Sequence, residues 1–544
     1  MTTTARRIAG AAALIAVITV VARLFGFGRI VVFYGTVGEN DLGQVYQAAN
    51  TIPNIIFEIV AGGALASLVV PMLAGPIARG DRAAVGRTVS ALLSWTLLIL
   101  VPVAMAVAFL ARPIMSMLSG DAGPEMVELG ARMLRVFAPQ LPLYGIGIVL
   151  TGVLQAHERF AWPALAPLLS SVTVIATYLT FAALAGAQPP LAELSLTEEL
   201  VLSGGTTLGV AVLSLCLLIP MAPLRIRVRP TLRFDEHAGP RVRSLAIAGA
   251  VTIAAQQLTL LLVVYLTYPP APAGSMVVYT FAQTIYFLPW GVLAVPLATS
   301  AYPALAAAAA TGDHDRYRRL LAGATRGILL LGFVGAAALV AVAWPVAHVI
   351  GQVAGGRASV DLIAASIIGF APGLVGYALF ALLTRALYAW GDAALAARAT
   401  VVGWAAVVVA DLALVTVAPT ELRVPVLAAG NSIGMVVLGV LLLVAVTRRT
   451  GAAAAAGTLR AGAVGTVAAV IAGAAGYAVT RMLTPVGTTP EIGTAIAAGI
   501  LAGVVVVAGF AVVAVLGDRD DAMRLLARVR RRTASSPDER EGDL

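Results

Sequence analysis

Two arginines and a glutamate stand where this chain can least accommodate charge. The stretch from Ala22 to Pro71 opens Ala22-Arg23-Leu24-Phe25-Gly26-Phe27-Gly28-Arg29, passes Ile52-Pro53-Asn54 and Glu58, and ends Val69-Val70-Pro71. These residues sit inside two strongly apolar segments, where ionisable side chains are costly unless they face a cavity or a partner. Arg23 and Arg29 are six residues apart, about 120° apart on a straight helix. Gly26 and Gly28 could bend that turn so that both arginines face one cavity. The competing expectation for Arg29 is a side chain that snorkels to the outer interface. Arg23 lies about 22 Å from the start of its segment near Ile8, and Glu58 about 21 Å from the end of its own near Met72, at 1.5 Å per residue. The expectation is an Arg23–Glu58 pair near mid-depth.

A second acid, Asp411, falls in another apolar run, and Gln256, Gln257 and Thr259 supply oxygens in a third. Together they form a candidate cation or proton site; the competing reading is a carboxyl that stays protonated or bonds to a neighbouring helix. No other constellation suggests chemistry. The four histidines lack metal-ligand spacing, Cys216 is the single cysteine, and there is no phosphate-binding loop or dinucleotide fingerprint. An enzyme or a nucleotide-driven pump is not expected.

The elements that must position these residues are membrane helices. The 544 residues are 60% hydrophobic and 12% charged, with mean hydropathy +0.94, against about 45–50% and a quarter in soluble domains. The apolar runs are roughly 20 to 28 residues long, enough to span a bilayer as helices, and the alternation of a membrane barrel is absent. Fourteen spans are expected at 8–35, 45–72, 87–111, 130–154, 162–186, 200–222, 244–268, 277–305, 320–345, 360–388, 394–417, 424–446, 458–483 and 491–516. Arginines alternate between loop sets, and 36–44, 187–199, 269–276 and 484–490 contain none. The positive-inside rule then places both termini in the cytoplasm. The net charge of +9 sits in these loops and tails and does not point to nucleic acid.

An internal repeat organises the spans. Phe137-Ala138-Pro139 returns as Phe370-Ala371-Pro372, an offset of 370 − 137 = 233. At that offset Val45-Tyr46 matches Val278-Tyr279, Thr51-Ile52 matches Thr284-Ile285, Tyr144 matches Tyr377, and Leu150-Thr151 matches Leu383-Thr384. Six spans separate the copies, so both halves share one orientation. The expected fold is an all-α polytopic membrane protein of two parallel-repeat six-helix lobes plus two C-terminal helices. The lobes are 1–222 and 244–450, joined by a basic cytoplasmic connector at 223–243. Spans thirteen and fourteen occupy 451–516, and 517–544 is a charged tail expected to be disordered.

Several of these residues resemble the MurJ/MviN family of lipid II flippases, within the multidrug/oligosaccharidyl-lipid/polysaccharide exporter superfamily. Arg23, Gly26 and Arg29 echo the family's Ser-Arg-x-x-Gly-x-x-Arg-Asp opening, and Ile52-Pro53-Asn54, Gly63-Ala64 and Val70-Pro71 match later motifs. Leu154-Gln155 with Arg159-Phe160, and Arg385, Ala386, Tyr388, Ala389 and Asp392, match two more. The chain departs from the pattern at Ala22, Ile30, Gln44 and Thr284, where the family carries polar or charged residues. The resemblance implies a flippase of the bacterial cytoplasmic membrane that moves undecaprenyl-pyrophosphate-linked peptidoglycan precursor by alternating access. It implies Arg23, Arg29, Asn54 and Glu58 at the substrate, no cofactor, and the membrane potential or a monovalent cation gradient as energy source. Lipid-linked precursor, membrane lipids and cell-wall synthesis or division proteins are the expected partners. Flipping of another polyprenyl-linked glycan, multidrug or cation antiport, and a non-transporting assembly scaffold stay open as alternatives.

Overall fold

The computed structural model describes residues 3–59, 66–232, 240–485 and 487–517. The expected tail, part of the connector and the Ala61–Ala64 motif lie outside them. Among the described residues there are helices and no strands. Twelve of the helices are long and apolar enough to cross a membrane. The other two expected spans fall on the shorter apolar run Ala250–Leu266, and on Asp41–Phe57 with Ala66–Ala78. Length and composition therefore do not by themselves establish the count of fourteen.

The first compact unit comprises Met1–Val278 with Val353–Ser359 and Pro419–Val424. Its helices are α1 (Thr3–Thr36), α2 (Asp41–Phe57), α3 (Ala66–Ala78), α4 (Arg82–Phe109), α5 (Ala111–Ser119), α6 (Pro124–Phe137), α7 (Gln140–Ala156), α8 (Ala161–Ala185), α9 (Leu196–Leu215), α10 (Leu218–Met221) and α11 (Pro240–Leu266). The unit extends past the expected lobe boundary at residue 222, because α11 packs on α2, α3 and α5. Its core gathers Val69, Leu73, Val89, Leu92, Val149 and Val153 from α3, α4 and α7.

The second unit comprises Tyr279–Gln352, Val360–Ala418 and Pro425–Leu544. It holds most of α12 (Ser275–Pro289), then α13 (Val295–Ala310), α14 (His314–Val353), α15 (Val360–Phe370), α16 (Gly373–Trp390), α17 (Ala393–Val417), α18 (Arg423–Thr450), α19 (Thr458–Leu483) and α20 (Ile492–Gly517). Small residues let its backbones approach, as between membrane helices generally. Ser432 Oγ donates to the Gly369 carbonyl at 2.6 Å and accepts from the Gly373 N–H at 3.0 Å. Gly376 leaves room for the Met435 carbonyl of α18, which an added Cβ would strike. The two helices outside the repeat, α19 and α20, pack on α14 through Ala468, Ala472, Ala502 and Val506 against Ala337 and Ala341.

The repeat read from the sequence is a repeat of breaks and contacts. Spans expected to be continuous at 130–154 and 360–388 are each interrupted at Phe-Ala-Pro: α6 ends at Phe137 and α7 starts at Gln140, while α15 ends at Phe370 and α16 starts at Gly373. Proline lacks the N–H that would continue the helical ladder. The second helix of each half carries a π turn, at Glu58 and Ile59 and again at Trp290–Ala294.

A strap closes the first unit at its arginine-poor end. Gln188 Nε2 donates to the carbonyls of Tyr34 at 2.9 Å and Ala354 at 3.1 Å. Arg357 donates to the Ala187 carbonyl at 3.1 Å, and the Ser359 N–H lies 3.3 Å from each Glu39 carboxylate oxygen. Gly38, at φ +90°, makes the tight turn against which the Gln188 side chain lies. Gln44 Oε1 accepts from the Met276 N–H at 2.7 Å, in the first turn of α12. Asp41, Glu193 and Arg357 line the same cavity as Glu39.

Two predictions follow from this packing. Gly376→Ala should cost about 1–3 kcal/mol by overpacking, read as a lower melting temperature in detergent. Burial pushes the Glu39 carboxyl up to about 7 against an ordinary 4.5, outweighing the Ser359 hydrogen bonds. The native state then binds more protons than the unfolded chain, so this group's contribution to stability is full below about 4.5 and is lost as pH rises through about 7. Glu39→Gln should flatten that part of a melting-temperature-against-pH curve.

Candidate functional site

The ring pairs that hold each half together are the same pairs displaced by 233 residues. Tyr46 meets Phe137 edge-on with centroids 5.7 Å apart, and Tyr279 meets Phe370 at 5.3 Å. Phe57 tilts against Tyr144 at 4.7 Å and 30°, and Trp290 against Tyr377 at 4.9 Å and 35°. Each tie joins the second helix of a half to the helix pair on either side of the Phe-Ala-Pro break. The aromatic scaffold is shared, and the polar groups set into it differ.

In the first unit, Tyr46 is buried and its hydroxyl lies 2.8 Å from both the Tyr178 hydroxyl and Thr206 Oγ1. Phe33 packs on both rings at 5.4 Å. Arg29 precedes Phe33 by four residues and so shares its face of α1. Half-buried there, Arg29 is close enough for its charge to act on the hydroxyls of Tyr46, Tyr144 and Tyr178. The charge of Glu58 reaches Tyr144 too. Arg29, Glu58 and three tyrosines thus share one polar region of the first unit.

Other expectations meet a different arrangement. Arg23 is exposed, and α1 runs as one helix through Gly26 and Gly28. A Cβ on either glycine would meet nothing within 4 Å, so neither serves close packing. No ion pair joins Arg23 to Glu58 among the described residues, and Glu58 is itself exposed. The cause is the helix register: α1 is continuous through its glycines, and the arginine that shares Phe33's face is Arg29, six residues further on. Asn54 Nδ2 donates to the Asn50 carbonyl at 2.8 Å, a bond within its own helix. Pro53 and the π turn that follows loosen α2 beside it.

The second unit sets an acid into the same frame. Asp411 stands at 411 − 178 = 233 from Tyr178 and is fully buried, with its charge acting on the Tyr279 hydroxyl. Among the described residues, neither Asp411 oxygen has a hydrogen-bond partner, and the buried Asn431 Nδ2 has none. Gly430 accommodates the carboxylate, since a Cβ there would collide with Asp411 Oδ1. A bare buried carboxylate is costly. Gln256, Gln257 and Thr259 belong to α11 in the first unit, whereas Asp411 belongs to the second. The Thr259 hydroxyl donates to the Ala255 carbonyl at 3.0 Å within α11. Among the described residues, no group of three His, Cys, Asp or Glu side chains is placed to hold a metal ion.

Sequence reasoning missed Tyr178, Thr206, Gly430 and Asn431. Two signals were available: the offset of 233 that carries Tyr178 onto Asp411, and the polar pair Asn431-Ser432 inside an apolar span.

The comparisons with known proteins agree on one family. A family model described as "Lipid II flippase MurJ" matches residues 35–507. The probable lipid II flippase MurJ of Rickettsia prowazekii is 26% identical over 385 residues, covering 70% of this chain and 73% of the relative. The lipid II flippase MurJ of Burkholderia cenocepacia is 26% identical over 380 residues, covering 69% and 72%. Among solved structures, a lipid II flippase MurJ in an inward closed conformation aligns with TM-score 0.71 at 17% identity, over 93% of this chain and 99% of that one. An inward-facing multidrug resistance MATE family transporter of the MOP superfamily aligns with TM-score 0.62 at 17% identity, over 79% and 95%. With the family model matching most of its length, the chain belongs to the lipid II flippase MurJ family.

Proposed function

We propose that this protein carries undecaprenyl-pyrophosphate-linked peptidoglycan precursor across the cytoplasmic membrane, exposing one substrate site alternately to either side, as a transporter and not an enzyme. The observation that carries this reading is Arg29, half-buried and near enough for its charge to act on the hydroxyls of Tyr46, Tyr144 and Tyr178, in a chain of this family. A pyrophosphate cannot enter hydrocarbon bare, and its water must be replaced by cationic and hydroxyl donors. Arg29 supplies the charge and the bidentate geometry, and the tyrosines supply hydroxyls. Asn54 and Glu58 shape the adjoining wall, and Arg23, exposed earlier on the same helix, meets the phosphate as it arrives. The arginine-rich loops and both termini face the cytoplasm, in keeping with the positive-inside rule.

Directionality comes from Asp411. Its oxygens have no hydrogen-bond partner among the described residues, and the carboxylate packs directly on Gly430. Asp411 with Asn431 fits a proton or a monovalent cation, which would neutralise the carboxylate. Protonation or ion binding at this acid would couple transport to the membrane potential or an ion gradient.

Depletion of the protein should leave lipid-linked disaccharide-peptide precursor on the cytoplasmic leaflet, and Arg29→Ala should fail to clear it. Removing charge-assisted hydrogen bonds to phosphate should slow translocation about ten- to hundredfold. Native rates in Arg29→Ala, or accumulation of a different polyprenyl-linked glycan, would contradict the reading. Asp411→Asn mimics the neutral acid. It should melt no lower than the native protein while its transport loses dependence on pH and cation; an unchanged dependence would remove Asp411 from the coupling.

A further inference from the structure

The groove between α17 and α18 carries chemistry that transport of the precursor does not use. α17 presents Leu395, Arg398, Ala399 and Val402, and α18 presents Leu441, Val444, Ala445 and Arg448, around a cavity of about 380 Å³. These spacings of three, four and seven residues put each set on one helix face. Ala399 and Ala445 are its buried small members, while Val402 and Val444 are 52% and 38% exposed. The groove exists because its deep positions are alanines. Its volume lies within the roughly 300–1,000 Å³ of small-ligand pockets.

Charge is concentrated at one end. Arg449 pairs with Asp392 at 3.0 Å, and Asp392 also accepts from the Leu395 N–H at the start of α17. That pairing offsets both charges. Arg398 and Arg448 are exposed and have no ion-pair or hydrogen-bond partner among the described residues, and no acid lines the groove. Arginines at the end of a membrane helix ordinarily snorkel to water. Here two of them, unpaired, stand at the mouth of an apolar channel. The first unit lacks the feature, since at 398 − 233 = 165 it carries Leu165.

We propose that this groove binds an anionic phospholipid of the leaflet that meets the arginine-rich loops. The phosphate sits between Arg398 and Arg448, and an acyl chain lies along Leu395, Ala399, Val402, Leu441, Val444 and Ala445. A soluble anion would use only the arginines and a neutral lipid only the groove. An amphiphile with a phosphate uses both, as basic pockets between membrane helices do. The proposal goes beyond the flippase reading and stands without it.

The test uses the full-length protein in nonionic detergent, offered phosphatidylglycerol and phosphatidylcholine in equal amounts, with retained lipid read by native mass spectrometry. The native protein should retain phosphatidylglycerol about tenfold over phosphatidylcholine, since both carry the phosphate but the choline cation cancels its charge and is repelled by two arginines. R398Q with R448Q should abolish that preference, and R398K with R448K should keep most of it. A399L with A445L, which fills the groove and leaves both arginines, should also abolish it. Millimolar inorganic phosphate should not displace the lipid. Equal retention of the two lipids by the native protein would overturn the proposal, as would a preference that survives R398Q with R448Q. A preference that survives A399L with A445L, or displacement by inorganic phosphate, would mean a phosphate contact without a lipid groove and overturn it equally.

Discussion

A tyrosine hydroxyl buried among apolar helices has to be answered from within the protein, and each half of this chain turns on how that is done. The tyrosine of the second helix, Tyr46 or Tyr279, packs its ring on the phenylalanine that ends the helix before Phe-Ala-Pro. Eleven residues later, Phe57 or Trp290 packs on Tyr144 or Tyr377 beyond the break. These paired contacts hold interrupted helices in register, and an interrupted helix is where a membrane protein can offer unconventional backbone to a ligand. Around the hydroxyls the halves diverge. Tyr46 finds two neutral hydroxyls, with the charge of Arg29 close by, while Tyr279 lies within the field of Asp411.

That divergence gives a physical account of why a duplicated scaffold would serve a transporter. In the proposed reading, the first unit offers a cation to an anionic headgroup, and the second offers a buried acid for coupling. Membrane-buried charge is expensive in either sign. Placing the two in separate copies of one frame keeps each near tyrosines and away from bare lipid. The lateral groove of α17 and α18 adds a third polar feature, confined to the second unit and built from surface arginines.

The architecture was largely legible in the sequence because apolar length and an offset of 233 are coarse signals that survive substitution. Phe137-Ala138-Pro139 and Phe370-Ala371-Pro372 pointed to equivalent places, although not to the helix breaks they mark. The candidate site was less legible. Arg29 and Asp411 were visible as charges in apolar runs. Choosing between Arg23 and Arg29 required knowing that α1 runs as one helix through its glycines and which face carries Phe33. Pairing Asp411 with α11 residues rested on depth alone, and depth does not specify neighbours. Gly430, which packs on the Asp411 carboxylate, carries no side chain to mark that contact in the sequence.

The most direct measurement is a map of the protein with its lipid-linked pyrophosphate bound. The account predicts phosphate density in the first unit, within hydrogen-bonding reach of Arg29 and at least one of Tyr46, Tyr144 and Tyr178, with none at Asp411. Phosphate density centred on second-unit residues, with Arg29 turned away from it, would contradict the assignment of the headgroup to the first unit.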